Sequence, residues 1–266
     1  MAAENRARSG QVNGRLWGGR ATDWANIQEA QCRPTYEVTF KRTGVGKNTA
    51  YCDVGCGAGM AAQIASGLGA RVSGLDAAAS LLEIAKKRVP TGNFHLGELE
   101  ELPFADGSFD VVTGFNSFQY AANPKVALSE AKRITKNGGW VVIVTWGQPE
   151  GMEVASLVAA LKPLLPPPPP GAPGPFALSD EAALRAFGNG VGLTPVDVTD
   201  VPCQWTYPDL ATALRGLGSA GVAIKAMENT SEERVNAAHE NALKPFKQPN
   251  GSFRMGATFR CLFARA

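Results

Sequence analysis

Residues 51–60 read Tyr51-Cys52-Asp53-Val54-Gly55-Cys56-Gly57-Ala58-Gly59-Met60. A short apolar run carrying an acid near its end enters three alternating glycines, the pattern of a β-strand breaking into a tight turn. Glycine removes Cβ where the chain must turn sharply and where a ligand must approach the backbone, so the turn is expected to cradle a nucleotide-like molecule. In a dinucleotide fingerprint the third glycine would stand at position 60, which is Met60. Here the order is G-x-G-x-G, and the pyrophosphate reading weakens. A nicotinamide dehydrogenase stays as a rival that titration with NAD would separate.

Three more elements follow. Residues 71–75 form an apolar-alternating strand ending in Asp76, close to the ~20 residues that separate a glycine loop from a ribose-binding acid. Asp76 can accept from both ribose hydroxyls, or it can cap a helix starting near Ala78, and the two roles coexist. Next comes Gly97-Glu98-Leu99-Glu100-Glu101-Leu102-Pro103-Phe104, running on to Asp110. Finally an apolar strand, 109–115, opens into Asn116, Ser117, Phe118, Gln119 and Tyr120. Ligands of open α/β sheets sit beyond the carboxyl ends of the strands, where these side chains project.

Together these motifs, from about Thr49 to Trp146, resemble the class I S-adenosylmethionine-dependent methyltransferases of the type 11 group. The resemblance implies a Rossmann-like α/β fold with a seven-stranded, mostly parallel sheet and helices on both faces. N-terminal helices and an inserted helical lid would be added to it. It also implies S-adenosylmethionine as cofactor. By resemblance Gly55, Cys56 and Gly57 offer backbone groups to it, Asp53 orders the loop near its methionine end, and Asp76 with Ala77 meets the ribose. Glu98 takes the place where Asp usually accepts from the adenine amino group, and the Leu99 N–H faces a ring nitrogen. Against this, Glu98 could belong with Glu100 and Glu101 to a solvated acidic turn, which is the favoured reading for Glu100 and Glu101 alone. Phe115 and Asn116 are expected to border the cofactor. Phe118, Gln119, Trp146 and Trp17 are expected around a small-molecule acceptor.

Trp24 sits with Ile27 and Gln28 at helical spacing in a segment, 22–29, that opens with Thr22 as N-cap. Trp17 and Trp24 either clasp the N-terminal segment to the domain or close over the sulfonium, since aromatic faces attract cations by ~0.5–2 kcal/mol.

The chain has 266 residues and a formal charge of +2, enough for one α/β domain with a cap. The basic cluster Arg6, Arg8, Arg15 and Arg20 reads as a solvated, partly mobile tail. That is no basic groove, so RNA and DNA are not expected as partners. No apolar run reaches the ~20 residues that span a bilayer and no signal-peptide core is visible, so a cytoplasmic protein without membrane contact is expected. Five scattered cysteines and two histidines, His95 and His239, make neither a metal site nor a disulfide framework. Cys52 and Cys56 flank the glycine turn as small packing residues.

The expected organisation is a tail and helical cap over 1–45, a cofactor-binding core over 46–150, and a proline-rich connection with the sixth strand over 151–206. A lid of about two helices over 207–252 and a closing strand over 253–266 complete it. The prolines from Pro166 to Pro175 suit a stiff extended spacer walling the acceptor pocket.

The resemblance implies methyl transfer by in-line displacement, which demands positioning and exclusion of water more than a base. No catalytic residue is assigned. A cofactor-binding sensor or assembly protein without turnover is the alternative, and oligomeric state and acceptor are open.

Overall fold

In a computed structural model, residues 9–167 and 174–266 are described. Helices α1 (Gly10–Gly18) and α2 (Ala21–Asp23) lead into a π-helical turn (Trp24–Gln28), a 3-10 turn (Glu29–Cys32) and α3 (Arg33–Thr43). Strand–helix alternation follows: β1 (Ala50–Val54), α4 (Met60–Gly67), β2 (Arg71–Asp76), α5 (Ala79–Arg88), β3 (Asn93–Leu96), β4 (Phe109–Phe115), α6 (Pro124–Ile134) and β5 (Thr135–Trp146). The chain ends with α7 (Ala155–Leu161), α8 (Glu181–Asn189), β6 (Thr194–Tyr207), α9 (Leu210–Gly218), α10 (Gly221–Asn229), α11 (Glu232–Leu243) and β7 (Phe253–Arg265).

The seven strands form one sheet in the order β3-β2-β1-β4-β5-β7-β6, parallel from β3 to β5, with β7 antiparallel to both neighbours. Strand β1 is buried throughout, as a central parallel strand covered on both faces must be. Its alternate residues go to opposite faces. Tyr51 packs with Phe40, Val72, Leu82 and Val111 under α3, α4 and α5, while Cys52 and Val54 join Leu128, Ile143 and Leu184 under α6 and α8. Helix starts follow local chemistry. Asn123 accepts from the Val126 N–H at 3.2 Å ahead of Pro124, and Asp209 accepts from the Thr212 N–H at 2.7 Å.

Several expectations change. Residues 10–18 are a helix, not a solvated tail, and Leu16 is buried. The segment expected to run as one helix from Thr22 to Glu29 starts at Ala21 and passes through π and 3-10 turns before α3. Strands β6 and β7 are long because they pair with each other along 194–207 against 253–265. The insertion holds three α-helices rather than two, with the chain breaking between α9 and α10 at Ser219 and Ala220. The proline spacer lies largely outside the described residues.

Candidate functional site

The glycine turn leaves β1 with Gly55, Gly57 and Gly59 at φ of 79°, 54° and 81°, values open to glycine without strain. The N–H groups of Gly55 and Cys56 donate to the Leu75 carbonyl at 2.8 and 3.0 Å, which ties the turn to β2. At the end of β2, Asp76 accepts from the Gly57 N–H through Oδ2 and from the Ala78 N–H through Oδ1, both at 2.8 Å. Burial raises its pKa against these bonds. Each oxygen keeps a lone pair for a further donor.

Asp53 stands behind the turn. It is 2% exposed and accepts from the Thr113 hydroxyl at 2.7 Å, which is 2.7 Å from the Tyr51 hydroxyl. Burial pushes its pKa up to about 7, with Thr113 opposing and Asp76 and Glu29 adding to the rise.

The turn, Asp76 and the ends of β4 and β5 border a cavity. Its floor includes Gly55, Gly57, Asp76, Ala77, Glu98, Leu99, Phe115 and Asn116. Its roof comes from Ser9, Gly10, Asn13, Trp17, Trp24, Cys32, Thr35 and Tyr36, and Tyr120, Val144 and Phe259 close the far end. Trp17 meets Trp24 edge-on at 5.0 Å and Tyr120 at 5.3 Å. Asn116 holds φ of 54°, the left-handed region that Asn tolerates best among residues with a side chain.

The roof is fastened directly. Gly10 N–H donates to Glu98 at 2.8 Å, Asn13 donates to the Tyr120 carbonyl at 2.8 Å, and the Ser80 hydroxyl donates to the Gly18 carbonyl at 2.9 Å. Gly14 packs so closely on the Ala77 carbonyl that a Cβ would overlap it. Behind α1 stand α10 and α11, through the Arg15–Glu228 and Arg20–Glu232 ion pairs. A buried pair, Arg88 with Glu29, anchors the next segment: Glu29 also accepts from the Met60 N–H at 3.1 Å, and Arg88 donates to the carbonyls of Ala58 and Ala25.

Residues 52–143 match the family described as Methyltransferase domain. Over this stretch, about a third of the chain, the sequence is that of a methyltransferase domain. The chain is 37% identical over 123 residues to the demethylmenaquinone methyltransferase of Renibacterium salmoninarum, covering 46% of this chain and 52% of that one. It is 28% identical over 203 residues to the malonyl-acyl-carrier-protein O-methyltransferase of Erwinia pyrifoliae, covering 76% of this chain and 73% of that one. The chain thus spans from about half to three quarters of the length of these two relatives. Among solved structures, geranyl diphosphate C-methyltransferase from Streptomyces coelicolor aligns at TM-score 0.56 and 14% identity over 98% of both chains. The cyclase SpnF aligns at 0.60 and 18% identity over 97% of both. At these identities the likeness is one of fold.

Of the residues singled out in the sequence, the methyltransferase domain and its roof bring Gly55, Gly57, Asp76, Ala77, Glu98, Leu99, Phe115, Asn116, Trp17 and Trp24 to one cavity. Four expectations fail. The Cys56 N–H is bonded to Leu75, its carbonyl accepts from the Gly59 N–H, and its side chain packs in the core beneath α4 and α5, so it faces away. Phe118 is 1% exposed in the core under α6, because the 3-10 turn after Ser117 folds it inward. Gln119 turns back onto Asn116. Trp146 stacks behind Phe259 at 4.7 Å and reaches the cavity only through the Tyr120 hydroxyl, whose pKa burial pushes up to about 12.

The insertion does not cover the cavity either: no residue from 207 to 252 lines it, and α1 does. Missed lining residues include Cys32, Thr35, Val144 and Phe259. The glycine stripe at 10, 14 and 18 was the available signal for α1, since small residues four apart share one helix face.

Among the described residues no helix is long and apolar enough to cross a membrane.

Proposed function

We propose that this chain transfers the methyl group of S-adenosylmethionine to a small-molecule acceptor. The observation that carries the reading is the Asp76 carboxylate, which lines the same cavity as the glycine turn while Trp17 and Trp24 roof it. The donor set fits the cofactor's parts. Two carboxylates, Asp76 and Glu98, suit ribose hydroxyls and an exocyclic amine, the bare turn admits an amino-acid end, and the aromatic roof suits a sulfonium.

When bound, the cofactor supplies an already activated methyl group on a positively charged sulfur. The chain's own part is orientation: α1 roofs part of the cavity, and positioning of this kind contributes about 7–11 kcal/mol to such displacements. Relatives that act on demethylmenaquinone and on malonyl-acyl-carrier protein favour a metabolite-sized acceptor group over a nucleic acid.

Calorimetric titration with S-adenosylmethionine against NAD, followed by assay of S-adenosylhomocysteine formed with a mixed metabolite extract, tests the reading. Tight binding with product supports it. Binding without product over a wide acceptor panel makes this a sensor, and preference for NAD removes the cofactor assignment.

A further inference from the structure

We infer that the acceptor is an uncharged, mostly apolar compound offering a hydroxyl group, held between Tyr36, Tyr120 and Phe259. The inference rests on the methyl-transfer reading and concerns the end of the cavity away from Glu98. There the walls are Phe115, Val144 and Phe259, with Tyr36 set edge-on to Phe115 at 4.6 Å and Phe259 braced by Trp146. No Lys, Arg or His is among the described residues that line the cavity. An anionic acceptor would shed its water without gaining a countercharge. A cationic one would find no carboxylate beside it, since the acidic lining residues Asp76 and Glu98 lie at the other end. Burial without a partner is costly for either charge and cheap for an apolar body.

The polar groups at this end are mostly committed. The Ser117 hydroxyl donates to the Val54 carbonyl and that of Thr35 to the Cys32 carbonyl, both at 2.7 Å. The phenol of Tyr36, and that of Tyr120 beside its bonds to Trp146 and Asn116, are the groups able to meet an acceptor hydroxyl. Burial keeps both protonated across the physiological range, so they orient a neutral oxygen and do not serve as bases. In the step, a lone pair of the acceptor oxygen forms the new O–C bond while the C–S bond breaks with its electron pair going to sulfur. The products are the methyl ether, S-adenosylhomocysteine and a proton released to water.

The test is binding to the full chain saturated with S-adenosylhomocysteine, followed by calorimetry. The probes are 2-naphthol, 3-hydroxy-2-naphthoate, a hydroxyphenyl-trimethylammonium salt and naphthalene. The expected result is 2-naphthol bound about tenfold or more tightly than both charged probes and than naphthalene. Tyr36→Phe and Tyr120→Phe together should cancel the advantage of 2-naphthol over naphthalene, while S-adenosylhomocysteine still binds as in the wild type.

Equal or tighter binding of the naphthoate or the ammonium probe overturns the inference, as does no advantage for 2-naphthol in the wild type. In both cases retained S-adenosylhomocysteine binding leaves the methyl-transfer reading standing. Failure to bind S-adenosylhomocysteine at all overturns both.

Discussion

The carboxylate of Glu98 accepts the backbone N–H of Gly10 across 88 residues of sequence. One side chain thus faces the cavity floor and fastens its roof. Replacing it with Ala removes the acceptor and leaves the first N–H of α1 unpaired. We expect Glu98→Ala to speed limited proteolysis within residues 9–20 about tenfold, for a bond to a charged group worth ~1.5–3 kcal/mol. Equal cleavage rates in variant and wild type would show that the latch contributes nothing.

Asp76 orders the turn and faces the cavity together. Asp76→Ala should weaken S-adenosylmethionine binding at least about tenfold, the effect of losing charge-assisted hydrogen bonds of ~1.5–3 kcal/mol. Calorimetry gives the affinity, and an unchanged constant takes Asp76 out of the ribose role.

Asp53 gives a pH signature. Its folded pKa, about 7, lies above the ordinary 3.8 because of burial, so between those values the folded state binds more protons than the unfolded one. The stability it contributes is full below pH 3.8 and is lost as pH rises towards 7. His239 works the other way: burial lowers its pKa to about 4, so its contribution is lost as pH falls from 6.5 towards 4. The difference in Tm between Asp53→Asn and wild type isolates the carboxyl. It should grow in favour of the variant from pH 4 to pH 7 and then level off. A difference independent of pH would contradict the buried, proton-holding carboxyl.

Arg88 is held by Glu29 and two carbonyls. Removing one member of a buried pair leaves an uncompensated charge, so Arg88→Met should cost about 3–5 kcal/mol in chemical denaturation. Adding Glu29→Gln should restore part of that loss. A double variant no more stable than Arg88→Met would mean that the damage lies in lost carbonyl contacts rather than in the orphaned carboxylate.

The parts of the fold governed by short-range pattern were legible in the chain. Strands β1 to β4, the glycine turn and the acid closing β2 all announce themselves by alternation or by residues with restricted uses. The parts that depend on distant partners were not. Helix α1 contains Gly10, Gly14 and Gly18, each a penalty to an isolated helix. It forms because those same glycines let it lie against Ala77, Ser80 and Glu98. Phe118 looked like a pocket residue because it follows the strand end. A single 3-10 turn decides which way it faces, and residue type does not report that turn. The extra length of β6 and β7 arises from their mutual pairing, which neither segment displays alone.

Strand β7 lies between β5 and β6 in the sheet and brings Phe259 to the cavity. On a ribosome the roof, residues 9–36, emerges long before the wall it must close against, which lies on β7 at residues 253–265. Before residue 253 is made, β6 has no neighbour to dock on and the chamber stands open at one end. Completion of the site is therefore coupled to synthesis of β7, and a nascent chain halted in the insertion holds every sequence motif of the cofactor cradle without the wall that Phe259 supplies.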